Sequence, residues 1–560
     1  MDGETFMTAQ RQWLSACIWG GYLRSLQRFR NGTSRAAAAC FFALALSSVA
    51  SAQTLSCPVS SDVTVSSTLF NDASSCTVDF GVTLTIGSTG DLVNSLSKSG
   101  ILQNNGTFLN NGDFENNFYT FTNFGTVFND NTMDIGTFTN AGIFDNFGTI
   151  TDASTDGTLN NASVFTNDGF MTLFDTVNNS VGAQFNNAGF LSLGSTFAAP
   201  LQATNNGTFT NFTGGDLEIV TPFTNNGSLI NDGTLGNGNA AGTAIPTFIN
   251  NGTITNNGTF TNGASVPKGF GSLFASVSNN GKFDNFNTLA IYNAFDNNAG
   301  ASVINEAGAT LTIDAAGFTN DGSLTNNGSL TLVSGNLGNF GSIVNNRSIT
   351  NNGGSLFISS GGTLTNAAGS TFLQTAGTTE VEGTLNSVPA VQIQGGTLLG
   401  LGGTINGNVN NTGGIVEPGN GLSALSINGN YTQGSSGAMT IQLAGASQFD
   451  FDVLDVSGLA SLDGTVDFTT VGGFTPLAGD DFTFLLFGSL SGNFTNIDFT
   501  NWTCPTGDSC TEVLGANSLS LDITGPQTAP TPEPSSLLLL GTGILVIARF
   551  FRWKRVQGAR

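Results

Sequence analysis

Five aspartates near the C-terminal end come closest to a catalytic pattern: Asp450, Asp452, Asp455, Asp480 and Asp481. A glycoside hydrolase needs two carboxyl groups facing one sugar, and carboxylate oxygens also suit Ca²⁺. Asp452 and Asp455 differ by an odd number of positions, so in one strand they would point to opposite faces. The pattern favours ordinary surface carboxylates. We assign no catalytic residue, cofactor or metal ligand, and Ca²⁺ binding stays open as an alternative.

Histidine is absent from all 560 residues, which removes the side chain most used as a general base and metal ligand. No phosphate-binding loop or dinucleotide-binding glycine motif stands in a strand–turn–helix context. We therefore expect that the protein is not an enzyme. Some β-helix proteins act on polysaccharides, so a carbohydrate-active enzyme on such a scaffold is the alternative.

The charge of the central chain is strongly negative. Between Gln53 and Ala548 there are four basic and 36 acidic residues, a net charge of −32. Such a surface repels phosphate backbones, and we expect no nucleic acid partner. Charged residues are still only 9% of the chain, so Asn, Thr, Ser and Gly must supply most of the polar surface.

The N-terminal region has the parts of an export signal. Arg35 precedes an apolar stretch that ends in Ala50-Ser51-Ala52, a small-residue cleavage site. This pattern predicts a signal peptide with a mature chain beginning at Gln53. An exported chain favours disulfides, and local pairing predicts Cys57–Cys76 and Cys504–Cys510 bridges. A metal site is the alternative for these cysteines, although their spacing is not typical of zinc.

The C-terminal thirty residues contain three parts in a fixed order. Pro532, Glu533 and Pro534 precede an apolar run that begins at Leu537, and a basic cluster follows: Arg549, Arg552, Lys554 and Arg555. This order resembles the PEP-CTERM sorting tail, also named the ice-binding protein C-terminal domain. A simple membrane anchor is the alternative interpretation.

The resemblance implies a partner and a location. In that family the membrane protease exosortase processes the tail, and the proteins are associated with extracellular polysaccharide. The run 537–553 is long enough to span the inner membrane if its flanking arginines reach the interface. Basic residues should stay cytoplasmic. We expect membrane anchorage until processing, and then release to the cell surface or extracellular matrix.

The central chain repeats a short unit. Asn-Asn-Gly recurs from Asn104 to Asn351, followed by Thr or Ser and one apolar residue, as in Gly-Thr-Phe-Thr-Asn at Gly258. The threonines of Thr-Phe-Thr alternate with an inward phenylalanine in a strand, and Asn-Gly tolerates the positive φ of a tight bend. So short a strand buries little unless copies stack. A disordered tract is disfavoured, because such tracts lack regular aromatic residues.

Stacked units predict an all-β parallel β-helix with coils of roughly 18–21 residues, phenylalanine over phenylalanine inside and asparagine over asparagine at the bends. Outward threonine pairs would resemble those of ice-binding β-solenoids, but threonine is also a good strand former. Ice binding is the weaker alternative.

Residues 395–524 have longer strands and less asparagine. Pro418-Gly419-Asn420, Tyr431-Thr432-Gln433, the stretch 452–458 and Gly492-Asn493-Phe494 resemble the C-terminal end of autotransporter passenger β-helices, without a following translocator sequence.

The sequence predicts seven segments and one role. The segments are an N-terminal extension with signal peptide (1–52), a β cap (53–103), solenoid repeats (104–394), a passenger-like β region (395–524), a linker with the Pro-Glu-Pro motif (525–536), a transmembrane helix (537–553) and a basic cytoplasmic tail (554–560). We expect an exported structural or adhesin-like protein of the bacterial surface or matrix.

Overall fold

The structure is a computed structural model of the chain. It describes residues 53–94, 100–151, 157–174, 176–194, 202–238, 247–263, 275–315, 317–419 and 421–525. The described residues from Leu55 onward belong to one compact unit, whose fold is given below. The predicted signal peptide, sorting motif, transmembrane helix and basic tail lie outside the described residues.

The described residues form 56 strands and contain no helix. Nearly every strand pairs in parallel with the strand at the same place in the next coil, so the chain winds as a three-sided solenoid. The predicted all-β parallel β-helix is confirmed. In this part of the chain, no helix has the length and apolarity needed to cross a membrane.

The three sides are called faces A, B and C in the order in which the chain visits them. Face A contains β1 (Val63–Val65), β4 (Thr83–Ile86), β7 (Thr107–Asn110), β9 (Thr126–Asn129), β11 (Ile143–Asn146), β14 (Val164–Asn167), β17 (Gln184–Asn187), β20 (Thr208–Asn211), β23 (Ser228–Asn231), β26 (Thr253–Asn256), β29 (Lys282–Asn285), β32 (Ser302–Asn305), β35 (Ser323–Asn326), β38 (Ser342–Asn345), β40 (Thr363–Asn366), β42 (Thr384–Ser387), β45 (Thr404–Asn406) and β48 (Ala424–Ile427).

Face B contains β2 (Thr68–Asn71), β5 (Asp91–Asn94), β12 (Thr149–Thr151), β15 (Phe170–Leu173), β18 (Phe190–Leu193), β21 (Asp216–Ile219), β24 (Thr234–Asn237), β27 (Thr259–Asn262), β30 (Thr288–Ile291), β33 (Thr310–Ile313), β36 (Ser329–Leu332), β43 (Val391–Ile393), β46 (Val409–Asn411) and β49 (Tyr431–Gln433). Face C contains β3 (Ser75–Val78), β6 (Ile101–Asn104), β13 (Thr158–Asn161), β16 (Thr176–Asn179), β19 (Ala203–Asn205), β22 (Phe223–Asn225), β25 (Thr247–Asn250), β28 (Ser276–Asn279), β31 (Phe295–Asn297), β34 (Gly317–Asn320), β37 (Asn336–Asn339), β44 (Thr397–Gly400), β47 (Ile415–Glu417), β50 (Ala438–Leu443), β52 (Thr465–Thr470) and β54 (Asn496–Thr500).

A few long strands turn a corner without a break. Those that continue from face B to face C are β8 (Asp113–Asn123), β10 (Thr132–Asn140), β39 (Ser348–Ile358) and β41 (Thr371–Val381). Those that continue from face A to face B are β51 (Val453–Leu462) and β53 (Asp481–Gly492). The solenoid ends in β55 (Ser509–Leu514) and β56 (Ser518–Thr524), which pair antiparallel with each other, while β56 also pairs antiparallel with β53.

Most four-residue strands place their second and fourth residues in the core. In β26, Ile254 and Asn256 are buried, while Thr253 and Thr255 face outward. Phenylalanines at the second position stack along the solenoid: the ring centroids of Phe144 and Phe165 are 4.4 Å apart, and those of Phe165 and Phe185 are 4.7 Å apart. This spacing matches the ~4.8 Å separation of paired strands. The predicted stacking of phenylalanine inside is confirmed.

Buried asparagines form a continuous ladder at the corner between faces A and B. Each donates its side-chain amide to the side-chain oxygen of the next coil's asparagine, at 2.6–2.8 Å. The ladder runs through Asn110, Asn129, Asn146, Asn167, Asn187, Asn211, Asn231, Asn256, Asn285, Asn305, Asn326, Asn345 and Asn366. All of them are fully buried. The first asparagine of the repeat is therefore a core residue as well as a turn residue.

A second ladder follows the corner between faces C and A. It begins at Asn104 and ends at Asn339, again with one side-chain bond from each coil to the next. The corner between faces B and C differs, because its ladder is interrupted. Asn71, Asn94 and Asn116 are bonded in series there, and Asn237 is bonded to Asn262, but many other positions hold Leu or Ile, such as Leu193 and Ile313. Stacking of asparagine at the bends is confirmed along two of the three corners and in parts of the third.

Glycine is required in the repeat for a different physical reason from the one that the sequence suggested. Of the Asn-Asn-Gly glycines, only Gly353 has a positive φ. At Gly258 a Cβ would overlap the carbonyl oxygen of Gly233 in the preceding coil, and at Gly252 it would overlap that of Gly227. Glycine is required there by the close approach of stacked backbones. The expectation that positive φ explains this turn is wrong.

Coil length varies more than the repeat suggested. Successive asparagines of the A–B ladder are 17 residues apart between Asn129 and Asn146, and 29 apart between Asn256 and Asn285. The longest coils gain their extra residues between a face B strand and a face C strand, as between Asn262 and Ser276. The two asparagine corners have two residues between strands, as after Asn187, or four, as after Asn211, whereas the third corner accepts longer insertions.

A pair of adjacent asparagines tests the ladder. In Asn256→Ala, the amides and carbonyls bonded to Asn256 lose their partners inside the core, and we expect a cost of about 2–4 kcal/mol in the opening free energy of this coil. Asn257 donates only an exposed bond to Asp232, so Asn257→Ala should change it by less than about 0.5 kcal/mol. Hydrogen exchange of the β26 and β29 amides measures both. Equal effects of the two variants would contradict a structural role for the buried ladder.

Candidate functional site

The residues predicted from sequence fall into two groups. The cleavage site at Ala50 and Ala52, the Pro532-Glu533-Pro534 motif and the basic cluster lie outside the described residues. The four cysteines predicted to pair are described, and the structure joins Cys57 to Cys76 and Cys504 to Cys510. The first bridge lies in the first coil, and the second joins Cys504, which precedes β55, to Cys510 within β55.

A hydroxyl row runs along the outside of face A. The first residue of each successive strand is Ser or Thr and lies in register with the one below it: Ser302, Ser323, Ser342, Thr363, Thr384 and Thr404. Each is partly or fully exposed. The row mixes serine with threonine and repeats at ~4.8 Å, the spacing of the coils.

An exposed amide row lies beside the end of the hydroxyl row. Asn406 donates to Asn386, and Asn428 donates to Asn406, both at 2.8 Å. A similar exposed row follows the C–A corner from Asn206 to Asn298, with bonds of 2.6–2.8 Å. The outer surface thus presents the same polar groups at a fixed interval over many coils.

The hydroxyl row leads into a groove near the C-terminal end. Thr404 pairs in register with Ser426, Ser426 with Asp455, and Asp455 with Leu486. The last three line a cavity of about 720 Å³, hereafter the groove. Its apolar wall contains Leu422, Phe449, Phe451, Val453 and Leu486. Its polar groups belong to Ser423, Ser426, Gln448, Asp455, Asp481 and Thr483.

Two residues of the groove have strained backbones. Leu422 has φ 70° and Phe449 has φ 78°, values that non-glycine residues rarely adopt. In the described part of the chain, only Ala315 and Asn501 also have a positive φ without being glycine. The Phe449 ring is 80% exposed although it adjoins apolar side chains. Strain and an exposed aromatic ring coincide at one place, which marks the groove as the candidate functional site.

A buried carboxyl group supports the groove from behind. Asp452 is fully buried, and its two carboxyl oxygens accept hydrogen bonds from the backbone N–H groups of Ser423 and Gln442, at 3.1 and 3.0 Å. Burial raises its pKa to about 7 despite these bonds, and the nearby Glu417 adds to the rise. Asp452 thus connects the start of β51 to Ser423 and to β50.

The predicted aspartates do not converge as a group. Asp452 points into the core, whereas Asp455 is exposed, so the odd spacing places them on opposite sides. Asp455 and Asp481 line the same groove, and Asp450 and Asp480 do not. Asp481 is also paired with Asp522 of β56, whose pKa is raised by burial and by its hydrogen bond to Asp481. Among the residues described, no group of three or more acidic or cysteine side chains is placed to hold a metal ion.

Sequence reasoning missed the groove. Its residues come from three coils and from the connection between β50 and β51, a span of more than 80 positions. The only available signal was Ser-Gln-Phe-Asp at 447–450, which interrupts the strand pattern with an aromatic residue.

Comparison with known proteins identifies the C-terminal tail. A family model described as the PEP-CTERM protein-sorting motif matches residues 530–555. No curated protein matches the chain significantly. The chain therefore carries a PEP-CTERM sorting tail after a β-solenoid body. Such a tail implies export, processing by exosortase and sorting to the cell surface.

The raised carboxyl pKa values predict a pH effect on stability. Asp452 and Glu512 both have pKa values of about 7, raised by burial. A carboxyl group whose pKa is raised by folding supports the folded state at low pH, and this support is lost as the pH rises toward 7. The wild type loses this support between pH 4 and pH 8, but Asp452→Asn does not. The unfolding free energy of Asp452→Asn minus that of wild type should therefore be roughly 2–4 kcal/mol larger at pH 8 than at pH 4.

Chemical denaturation at both pH values measures the difference. Glu512→Gln provides the second variant, and a smaller change of the same sign is expected because Glu512 is less buried. A stability difference from wild type that is independent of pH in both variants would show that neither group titrates as described.

Proposed function

We propose that the protein acts as a passive structural and adhesive element of the bacterial surface or matrix. The observation that carries this proposal is the hydroxyl row of face A, which repeats one polar group in register over six successive coils. Many weak and equally spaced contacts produce strong overall binding without any single strong site. Extracellular polysaccharide is a suitable partner, because it also repeats polar groups along a chain.

The charge of the body agrees with this role. Lys282 and Arg347 are the only basic residues among those described, and Lys282 contacts Asp284 at 2.6 Å. A surface of net negative charge stays soluble and avoids phosphate-rich polymers. We propose no nucleic acid partner and no catalytic step in this role.

We also propose that the C-terminal segment anchors the protein in the inner membrane until exosortase acts. The apolar run after Ser536 and the basic cluster from Arg549 support this order of events. After cleavage, the solenoid would leave the membrane and join the surface or matrix.

A carbohydrate-active enzyme is the second candidate function. One observation favours it: Asp455 and Asp481 line the same groove. If the groove hydrolyses glycans, shorter products should appear when the exported protein is incubated with the polysaccharide of its own cells, and Asp455→Asn should stop their release.

Replacement of the sorting triplet tests the anchoring step. Changing Pro532, Glu533 and Pro534 to alanine should leave the protein full length and in the membrane fraction, because the protease loses its recognition motif. The matched control changes the next two residues, Ser535 and Ser536, to alanine and should be processed normally. Cell fractionation with mass analysis of the C-terminus measures both. If wild type and the triple-alanine variant fractionate alike, with the tail intact in both, the segment is only an anchor. Normal cleavage of the triple-alanine variant would show that the triplet is not the recognition motif.

Removal of whole coils tests the adhesive role. Deletion of residues 302–341 brings Ser342 into the place of Ser302, since both lie in the same register, so a solenoid shorter by two coils should form. Retention of this variant on cells that lack the protein should fall roughly tenfold, because multivalent binding depends steeply on the number of contacts. Circular dichroism confirms that the β structure is kept. Undiminished retention would contradict adhesion by the repeated face.

A further inference from the structure

The groove at the C-terminal end of face A has the composition of a sugar-binding site. We infer that it binds a neutral oligosaccharide, which enters along the hydroxyl row. The inference rests on the proposed function, because it gives one specific site to a surface that otherwise binds through many weak contacts.

The groove matches the two-sided chemistry of a sugar ring. A pyranose presents C–H groups on its faces and hydroxyl groups at its edges. The exposed Phe449 ring offers a flat apolar surface for a sugar face. Ser423, Ser426, Gln448 and Thr483 offer donors and acceptors for the edges. A volume of about 720 Å³ lies within the usual range for small-ligand sites and would hold a short oligosaccharide.

The charges of the groove select against other ligands. It contains Asp455 and Asp481 and no basic residue, and the body around it is strongly acidic. Phosphorylated, sulfated or carboxylated glycans would therefore be repelled. A basic peptide is the remaining competitor. It is disfavoured because Asp481 already shares a hydrogen bond with Asp522, which leaves Asp455 as the one carboxylate of the groove without a described acidic partner.

The backbone holds Phe449 in the position that binding requires. Residues 444–451 leave face C after β50 and return to β51, and they close through bonds from the N–H groups of Ala444 and Gly445 to the carbonyl of Asp450, at 2.8 and 3.1 Å. Phe449 takes a positive φ within this loop, which directs its ring outward instead of into the core. A ring that served packing alone would not need strain to remain exposed.

Asp452 acts as a positioning residue for the site. By accepting the N–H groups of Ser423 and Gln442, it connects Ser423, which lines the groove, to β50 through the core. Leu422, the other strained residue, directly precedes Ser423. The backbone at Ser423 is therefore fixed before a ligand arrives, which lowers the entropy cost of binding at this edge of the groove.

The continuity of the surface indicates the direction of the ligand. Thr384, Thr404, Ser426 and Asp455 lie in one register column, so a linear glycan can contact the hydroxyl row and the groove at the same time. A second column, formed by Asn386, Asn406 and Asn428, runs beside this register column. The groove would then bind a chain end or a short stretch, and the row would bind the rest.

The test uses the exported protein and three neutral probes: tetrasaccharides of β-1,3-linked glucose, β-1,4-linked glucose and N-acetylated β-1,4-linked glucosamine. At least one should bind the wild type, as detected by saturation-transfer NMR and quantified by calorimetry. Phe449→Ala should weaken that binding roughly tenfold, because the stacking surface is lost. The control Phe80→Ala removes a ring that is 91% exposed at the other end of the solenoid, and it should leave binding unchanged.

Each outcome decides the inference. If none of the three probes binds at millimolar concentration, or if Phe449→Ala binds as well as wild type, the inference is wrong. Binding of a lysine hexapeptide in preference to every sugar would also overturn it. The deletion of residues 302–341 does not touch the groove, so tetrasaccharide affinity should survive it. If the wild type adheres to cells but binds no probe, the groove proposal alone is refuted. If the wild type binds a probe but the deletion of residues 302–341 leaves adhesion unchanged, the adhesive-face proposal alone is refuted.

Discussion

The satisfaction of buried asparagine side chains is the constraint on which the solenoid depends. A side-chain amide in the core costs free energy unless both its N–H groups and its oxygen are hydrogen-bonded. Asn187 meets this condition by accepting from Asn167 and donating to Asn211 and to the carbonyl of Gly189. The partners exist only when neighbouring coils are in exact register. A slip by one residue would bring the asparagines to the surface and the threonines inside, so the ladders specify one winding of the chain.

The remaining features follow from that winding. Because the asparagine corners must superimpose, they stay short and require glycine where backbones touch, as at Gly258. The B–C corner has no such ladder over most of its length, and the extra residues of the longest coils are inserted there. The solenoid also needs ends that do not recruit further strands. At the C-terminal end the antiparallel strand β56 covers β53 and replaces the parallel pairing that continues everywhere else.

The fold could be predicted from the sequence because its signal is repeated. Each Gly-Thr-Phe-Thr-Asn unit indicates the same alternation of outward and inward side chains, and the stacking of phenylalanine and asparagine follows from this alternation. Two details could not be read. The buried position of the first asparagine and the role of Gly258 both depend on the adjacent coil, which is 25 residues away in sequence at this point. The groove could not be predicted from the sequence for the same reason, because Ser426, Asp455 and Leu486 become neighbours only through coil register. The residues around Phe449 interrupt the strand pattern but do not indicate that its ring points outward.

The asparagine corners also affect how the protein ages. Asparagine followed by glycine is the pair most prone to lose ammonia, because the glycine nitrogen attacks the side-chain carbonyl, and such asparagines are thermolabile. Here the second asparagine of each repeat precedes that glycine. The glycine nitrogen is engaged, however: Gly227 donates to the Asn205 carbonyl at 3.1 Å, and Gly252 donates to that of Asn225 at 3.0 Å. Side chains such as Asn226 and Asn251 are held in their own bonded row. The stacked coils therefore shield these exposed asparagines from spontaneous deamidation, a useful property for a protein that is exported and cannot be repaired by the cell that made it.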